Sequence, residues 1–318
     1  MGKEQMFYTP QGEIPVSQMV ARGRVSPAFP DKKIPILDSD LVLDTIQKRQ
    51  AQVKAERATQ NSAEVVINTN LPWIAITGTG DWHLGSEGTD YTMWRDHMNK
   101  FRDVDGLYCV VVGDERDNFV VPKFRNGLYE GLMSPQEQSY IVQNKLDELD
   151  KKGKIIARAG GNHDGWTWNE SGISLEEYWY RQMKSPLLKD GGFVTLKVNG
   201  VDYKIYLHHG LSLFNSNFNP NHASKRAFEF QGPFDVSYMG HTHQTEVAHS
   251  YRWNDEFIKD YVQCRTGTYK TDDDYARQKQ LGRGQRPGAT VLYSTVQRHI
   301  IPFIDLDDAV TVMKALNQ

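Results

Sequence analysis

Disulfides are not what holds this chain together. Its 318 residues include two cysteines, Cys109 and Cys264. Both fall inside apolar runs as small buried hydrophobes, which excludes a disulfide framework and suits a reducing compartment. Long hydrophobic runs are missing too: nothing approaches the roughly 20 residues that span a bilayer. Met1 to Arg22 has acidic and polar residues throughout and no apolar core of the kind a secretory signal needs. A cytoplasmic protein with no membrane association is therefore expected. There is little excess charge of either sign, the net being −3. Bulk attraction to nucleic acid is thereby excluded, and only local basic patches are left as an electrostatic route to it. Internal repeats and low-complexity tracts are absent. What remains is length and apolar content, 39% hydrophobic and 11% aromatic, ample for a large core in one or two domains.

Along the chain, residues 1–70 read as an N-terminal arm and helix, 71–305 as the main domain, and 306–318 as a C-terminal tail. The arm carries Pro10, Pro15, Pro27, Pro30 and Pro35 among polar residues, so irregular structure is expected there, with at most one short helix near Val16 to Arg22. Asp38, Ser39 and Asp40 offer N-caps for a helix to about Ala58, and a homo-oligomer could form through it. From Leu71 strands alternate with helices: apolar runs at Trp73 to Thr77, Leu107 to Val112 and Lys154 to Ala159, with helices at Thr89 to Phe101 and from the capping box Ser134-Pro135-Gln136-Glu137. Strands then follow one another from Phe193 to Gln297. Alternating units followed by a run of strands predict a four-layer α/β/β/α sandwich, two packed mixed β-sheets flanked by helices.

Five polar blocks stand where these strands end: Asp81-Trp82-His83, Gly113-Asp114 with Asp117, Gly160-Gly161-Asn162-His163-Asp164, His208-His209-Gly210, and Gly240-His241-Thr242-His243. Ligand sites of open α/β sheets gather at such ends. Six of the ten histidines lie in these blocks, which packing does not explain. Mixed imidazole and carboxylate donors suit manganese, iron or zinc better than calcium or magnesium. So many donors exceed one ion's needs but suit two ions about 3.5–4 Å apart.

In this order the blocks resemble the five motifs of the calcineurin-like metallophosphoesterases. The resemblance covers about residues 71–305 and implies a metal-dependent phosphoesterase. Asp81, His83 and His243 would hold one ion, and Asn162, His209 and His241 the other. Asp114 would bridge them, and a hydroxide between the ions would attack phosphorus in line. His163 would assist the leaving oxygen, and Asp164 would orient His163 as a carboxylate fixes an imidazole. Asp117 matches the motif's second aspartate, a supporting group. Where phosphatases of the family often continue with a phosphate-gripping Arg-Gly, this chain has Asn118-Phe119, which fits the nuclease-like branches better. Asp81-Trp82-His83-Leu84-Gly85 is similar to the first motif of the nuclease subunit of SbcCD-type DNA repair complexes. The short region after the last motif leaves little room for a DNA-capping domain, so a coiled-coil ATPase partner is not expected.

The expected substrate is a phosphodiester in DNA, with a phosphomonoester or small nucleotide as the alternative. A second alternative is a scaffold that binds metal without catalysis. Of the paired histidines, His209 is favoured as ligand, next to Gly210, with His208 a neighbour or substrate contact. Asp117, Arg265 and Lys270 are further candidates for touching substrate. Aromatic connections with Lys123, Arg125, Lys225 and Arg226, and the basic run Arg277 to Arg286, could stack bases and track a backbone, or could be solvated loops.

Overall fold

The structure is a computed structural model that describes residues 6–9, 12–15, 24–26, 29–34, 39–120, 131–210, 219–253, 258–272, 277 and 284–318. It divides into two compact units, 1–59 and 60–318. In the first, β1 (Met6–Thr9) pairs with β2 (Gly12–Pro15), and β3 (Arg24–Ser26) with β4 (Phe29–Ile34), both antiparallel. Irregular chain was expected here. Strands this short hold too few residues to display a period of two, so the pattern was invisible. The short helix considered for Val16 to Arg22 lies outside the described residues. Helix α1 (Ser39–Gln60) follows.

The second unit is built on two six-stranded mixed sheets. β5 (Ser62–Ile67) is an edge strand of one of them, so the boundary falls near residue 60 rather than 70. β6 (Trp73–Thr79), β7 (Leu107–Val111), β8 (Ile155–Ala159) and the short β9 (Leu187–Leu188) run parallel. Helices α2 (Tyr91–Asp103) and α3 (Pro135–Lys151) link the first three, and α4 (Asn162–Ser171) and α5 (Leu175–Tyr180) precede β9. The other sheet contains β10 (Gly192–Val198) and β11 (Val201–His208), then, after α6 (His222–Phe230), β12 (Val236–Met239), β13 (Thr245–Trp253) and β14 (Ile258–Thr266). Within it β11, β12 and β14 are mutually parallel. β15 (Thr290–Ser294) and β16 (Ile300–Phe303) then return to the first sheet, antiparallel beside β6.

Strands buried on both faces need apolar residues on both, and β8, β12 and β15 are buried at every position. Ile74, Ile76, Val110 and Ile156 meet Val194, Leu196, Ile205, Val236 and Val262 between the sheets. Outside the first sheet lie Met98 and Phe101 of α2 and Val142, Leu146 and Leu149 of α3. Ala223, Ala227 and Phe228 of α6 cover the other sheet. The predicted α/β/β/α layering is what forms. Ser134 and Glu137 make a capping box with Pro135 behind them, which starts α3.

The segment expected as a tail is instead α7 (Leu306–Leu316). Leu306, Ala309, Val310 and Met313, spaced to share one helix face, join the outer core. Truncating such a buried leucine or methionine to alanine typically costs about 2–5 kcal/mol, so α7 belongs to the domain. Among the described residues no helix is long and apolar enough to cross a membrane.

Candidate metal centre

The parallel strands of both sheets release their polar loops at one end of the sandwich. Asp81 and His83 follow β6, Asp114 follows β7, and Asn162 opens α4 after β8. His209 follows β11, while His241 and His243 follow β12. The turns are tight and left-handed. Seven described non-glycine residues have positive φ, and Asp81, His83, Asp114, His241 and His243 are five of them. Residues outside glycine seldom adopt this backbone, and where it clusters, structure is being held against its preference. Two glycines make room: a Cβ on Gly161 would lie 2.1 Å from Asp114 Oδ1, and one on Gly240 would lie 2.4 Å from Asp81 Oδ2.

One donor set consists of Asp81 Oδ1, His83 Nε2 and His243 Nε2. The two ring nitrogens are 3.0 Å apart, and Asp81 Oδ1 stands 3.8 and 3.4 Å from them. The other set is Asp114 Oδ2, Asn162 Oδ1, His209 Nε2 and His241 Nδ1. Asn162 Oδ1 lies 2.9 Å from His209 Nε2 and 2.8 Å from His241 Nδ1, and His209 Nε2 lies 3.1 Å from Asp114 Oδ2. Donors bound to one ion at about 2.0–2.2 Å stand about 3–3.6 Å apart. Asp114 also groups with His83 and His163 within 4.8 Å, so its carboxylate adjoins both sets.

The hydrogen bonding around these atoms tests whether they fit metal ions. Each carboxylate has one oxygen tied to the backbone: His241 N donates to Asp81 Oδ2 at 2.9 Å and His163 N to Asp114 Oδ1 at 2.8 Å. Asp81 Oδ1 is buried with no hydrogen-bond partner. The more exposed Asn162 turns its amide toward the two imidazole nitrogens and Asp114 Oδ2. A buried oxygen left without a partner, as Asp81 Oδ1 is, is costly unless a cation stands beside it. The residues fit two divalent ions.

Second contacts set the rings. His209 Nδ1 donates to Val112 O at 2.7 Å, which leaves Nε2 as the donor to metal. His83 Nδ1 meets Asp117 Oδ1 at 3.1 Å. Burial pulls His83 down, but its hydrogen bonds to Asp117 and Asp81 carry it up to about 9. Burial likewise opposes the charged form of His209, yet Asp114 lifts it to about 10. Asp114 itself, raised by burial, is brought well below the usual carboxylate range by His209 and His163. In both sets the carboxylates favour positive charge on their neighbours, as a site for cations should.

His163 lies beside the shared carboxylate, its Nε2 3.9 Å from Asp114 Oδ2. Its Nδ1 donates to the main-chain oxygen of Asp117 at 2.6 Å, and its ring packs on Trp166 with centroids 3.9 Å apart. The expectation that Asp164 orients His163 is not met. Asp164 instead accepts from Asp114 N and from Arg116, both at 3.2 Å. It belongs to a buried cluster in which Arg158 also donates to Glu115 at 2.8 Å and Glu176 lies 3.8 Å from Arg116. Burial and the neighbouring carboxylates push Glu115 and Glu176 up, whereas Arg116 keeps Asp164 in its charged form.

Other expected substrate contacts are engaged within the protein. Lys270 Nζ is 3.0 Å from Asp117 Oδ1, so both groups serve the His83 side. Arg265 is fully buried, its Nη1 donating to Gly240 O at 2.8 Å beneath the His241 loop. His208 is not hydrogen-bonded to any described residue through Nδ1, which is buried. It lines a cavity of about 630 Å³ that reaches Asn162, His209 and His241 and is walled by Trp168, Glu176 and Lys189. Lys123, Arg125 and most of the Arg277 to Arg286 run lie outside the described residues. Sequence reasoning missed Arg116, Arg158 and Thr268, whose Oγ1 donates to Asp81 O at 2.8 Å. In the sequence Arg116 and Thr268 look like ordinary surface polar residues, and Arg158 is hidden within the apolar run Lys154 to Ala159.

No protein-family profile matches the chain, and no curated protein does. Solved structures resemble its fold distantly. A single mutant of Vps29 from Entamoeba histolytica superposes with TM-score 0.36 at 11% identity, covering 72% of this chain and 99% of that one. Vacuolar Protein Sorting 29 from Cryptosporidium parvum gives 0.37 at 14%, covering 73% and 97%. A metallophosphoesterase from Sphaerobacter thermophilus gives 0.34 at 12%, covering 76% and 93%. Likeness this remote carries no chemistry, and the case for function rests on the donor atoms.

Proposed function

We propose that this chain is a two-metal phosphoester hydrolase of the calcineurin-like metallophosphoesterase kind, acting on phosphodiesters. The observation that carries the reading is Asp114, a buried carboxylate adjoining two convergent donor sets with His163 beside it. Asp81, His83 and His243 hold one ion, Asn162, His209 and His241 the other, and Asp114 is shared. Ions held there supply Lewis acidity toward phosphoryl oxygens and a strong nucleophile at neutral pH. The mixed nitrogen and oxygen donors favour manganese, with iron or zinc next.

His163 manages the leaving oxygen. Its Nδ1 proton is committed to Asp117 O, so Nε2 is a proton donor only when the ring is charged. Burial and the neighbouring His83 hold it down to about 4, against the opposing pull of Asp114. An anionic phosphoryl group beside Nε2 works with Asp114 to favour the imidazolium, which then passes its proton to the departing oxygen.

DNA is the first phosphodiester to test, as nuclease substrate. The cavity of about 630 Å³ beside the second donor set favours the second reading, a small nucleotide or phosphomonoester, since small-molecule sites are concave spaces of about 300–1,000 Å³. The deciding assay offers labelled single- and double-stranded DNA, bis-p-nitrophenyl phosphate and p-nitrophenyl phosphate, with manganese, with chelator, and with His163→Ala. Manganese-dependent cleavage of DNA lost in the variant supports the nuclease. Cleavage confined to the small esters selects the second reading. If no ester is cleaved although two ions bind, the hydrolase is wrong and a metal-binding scaffold is left.

A further inference from the structure

Asn118 occupies the place where the resemblance implies a phosphate-gripping arginine, yet it is fully buried. Its Nδ2 donates to His163 O at 2.6 Å and reaches Thr167 Oγ1 at 3.0 Å. Its own backbone N–H donates to Gln138 Oε1 at 2.8 Å on α3, and its φ of 49° turns the side chain back under α4. The helix it grips starts weakly. Gly161 caps α4 without a side-chain hydrogen bond, and Gly165 within it costs about 1 kcal/mol of helix propensity relative to alanine. That first turn nonetheless carries Asn162, a donor to the second ion, and His163. It is held from one side by Asp114 Oδ1, which accepts from His163 N at 2.8 Å, and from the other by Asn118.

We propose that Asn118 is a positioning residue that clamps the first turn of α4, so that Asn162 and His163 face the shared Asp114. The inference rests on the two-metal reading and deepens it. At this position the chain has exchanged a group that would grip substrate for one that holds the machinery.

Glycine accepts the same backbone angle, so Asn118→Gly removes the clamp without adding strain, and Asn118→Asp keeps the shape but turns a donor into an acceptor facing His163 O. Manganese titration calorimetry on metal-free protein gives the affinities of both sites, and bis-p-nitrophenyl phosphate gives kcat and KM. In both variants the weaker-bound donor set should be the one containing Asn162, with affinity down about tenfold and kcat down about 10–100-fold. KM should change less than about threefold and the other site should keep its affinity. A role in folding alone would lower Tm while leaving kcat per folded molecule and both affinities within about twofold, and that result overturns the proposal. If Asn118→Gly does not fold, Asn118→Asp decides by the same numbers. If the wild-type protein binds two ions but cleaves nothing, the hydrolase fails and the calorimetry alone judges Asn118.

Discussion

Arg116→Met probes how the metal centre is supported from beneath. The side chain is 1% exposed, donates to Asp164 at 3.2 Å and Ser139 at 3.0 Å, and lies 5.2 Å over the Trp179 ring. Methionine fills much of the volume but removes the cation that pairs with the buried Asp164 carboxylate. Breaking such a pair from one side typically costs about 3–5 kcal/mol because a charge stays behind. At about 2–4 °C per kcal/mol for a domain of this size, Tm should fall by about 6–20 °C. The loss should also depend on pH. Burial raises Asp164, but Arg116 keeps it below the usual carboxylate range. A depressed carboxylate contributes stability above its unfolded pKa, and that contribution fades as pH falls through the folded one. The variant's deficit should thus be largest near neutrality and shrink on acidification. Differential scanning calorimetry of metal-free protein between about pH 2 and 7 measures both effects, because the wild-type contribution fades only below about pH 4. A Tm change under about 2 °C at neutral pH would show that the cluster tolerates an unpaired carboxylate, and the account of Asp164 as a charged brace for Asp114 would be wrong.

Three further outcomes can be checked. Asp114→Asn, which keeps the shape and loses the shared charge, should reduce bound manganese from two ions to one or none by elemental analysis; retention of two at wild-type affinity contradicts the bridge. His83 and His209, raised to about 9 and about 10, must lose protons to bind metal, so affinity should rise with pH up to about 9 and calorimetry in buffers of different ionisation enthalpy should show proton release. Burial and Asp164 push Glu115 up to about 7 despite Arg158. A raised carboxyl contributes stability below its unfolded pKa that is lost as pH rises through the folded one. Stability should therefore decline between about pH 5 and 8, and Glu115→Gln should flatten the decline.

The layered sandwich was legible because β6, β7 and β12 are short and largely apolar, and because α3 announces itself with a capping box. The ends of those strands were legible for the complementary reason: Asp81, Asp114 and His241 are polar groups where only a ligand makes burial tolerable. Burial of charge elsewhere left no such mark. Lys270 and Asp117 follow strands just as the metal donors do and Arg265 lies near the end of one, and only the folded chain reveals that each already has an internal partner. β5 was hidden because it lies next to α1 in sequence but pairs with β10, across some 130 residues. Period and composition carry local information, and a sheet edge or an ion pair is decided by what comes from far away.

The left-handed turns under the donors also restrict which residues can replace them. Asp, Asn, His and Gly enter that conformation most readily, whereas a β-branched or bulky residue there is an outlier. Five donor positions therefore draw on a very short alphabet. A descendant of this chain that abandoned its ions would keep its loops most easily by writing asparagine or glycine at those five places, leaving a metal-free centre with an unchanged backbone. Such a pattern in a related sequence would mark lost chemistry rather than a lost fold.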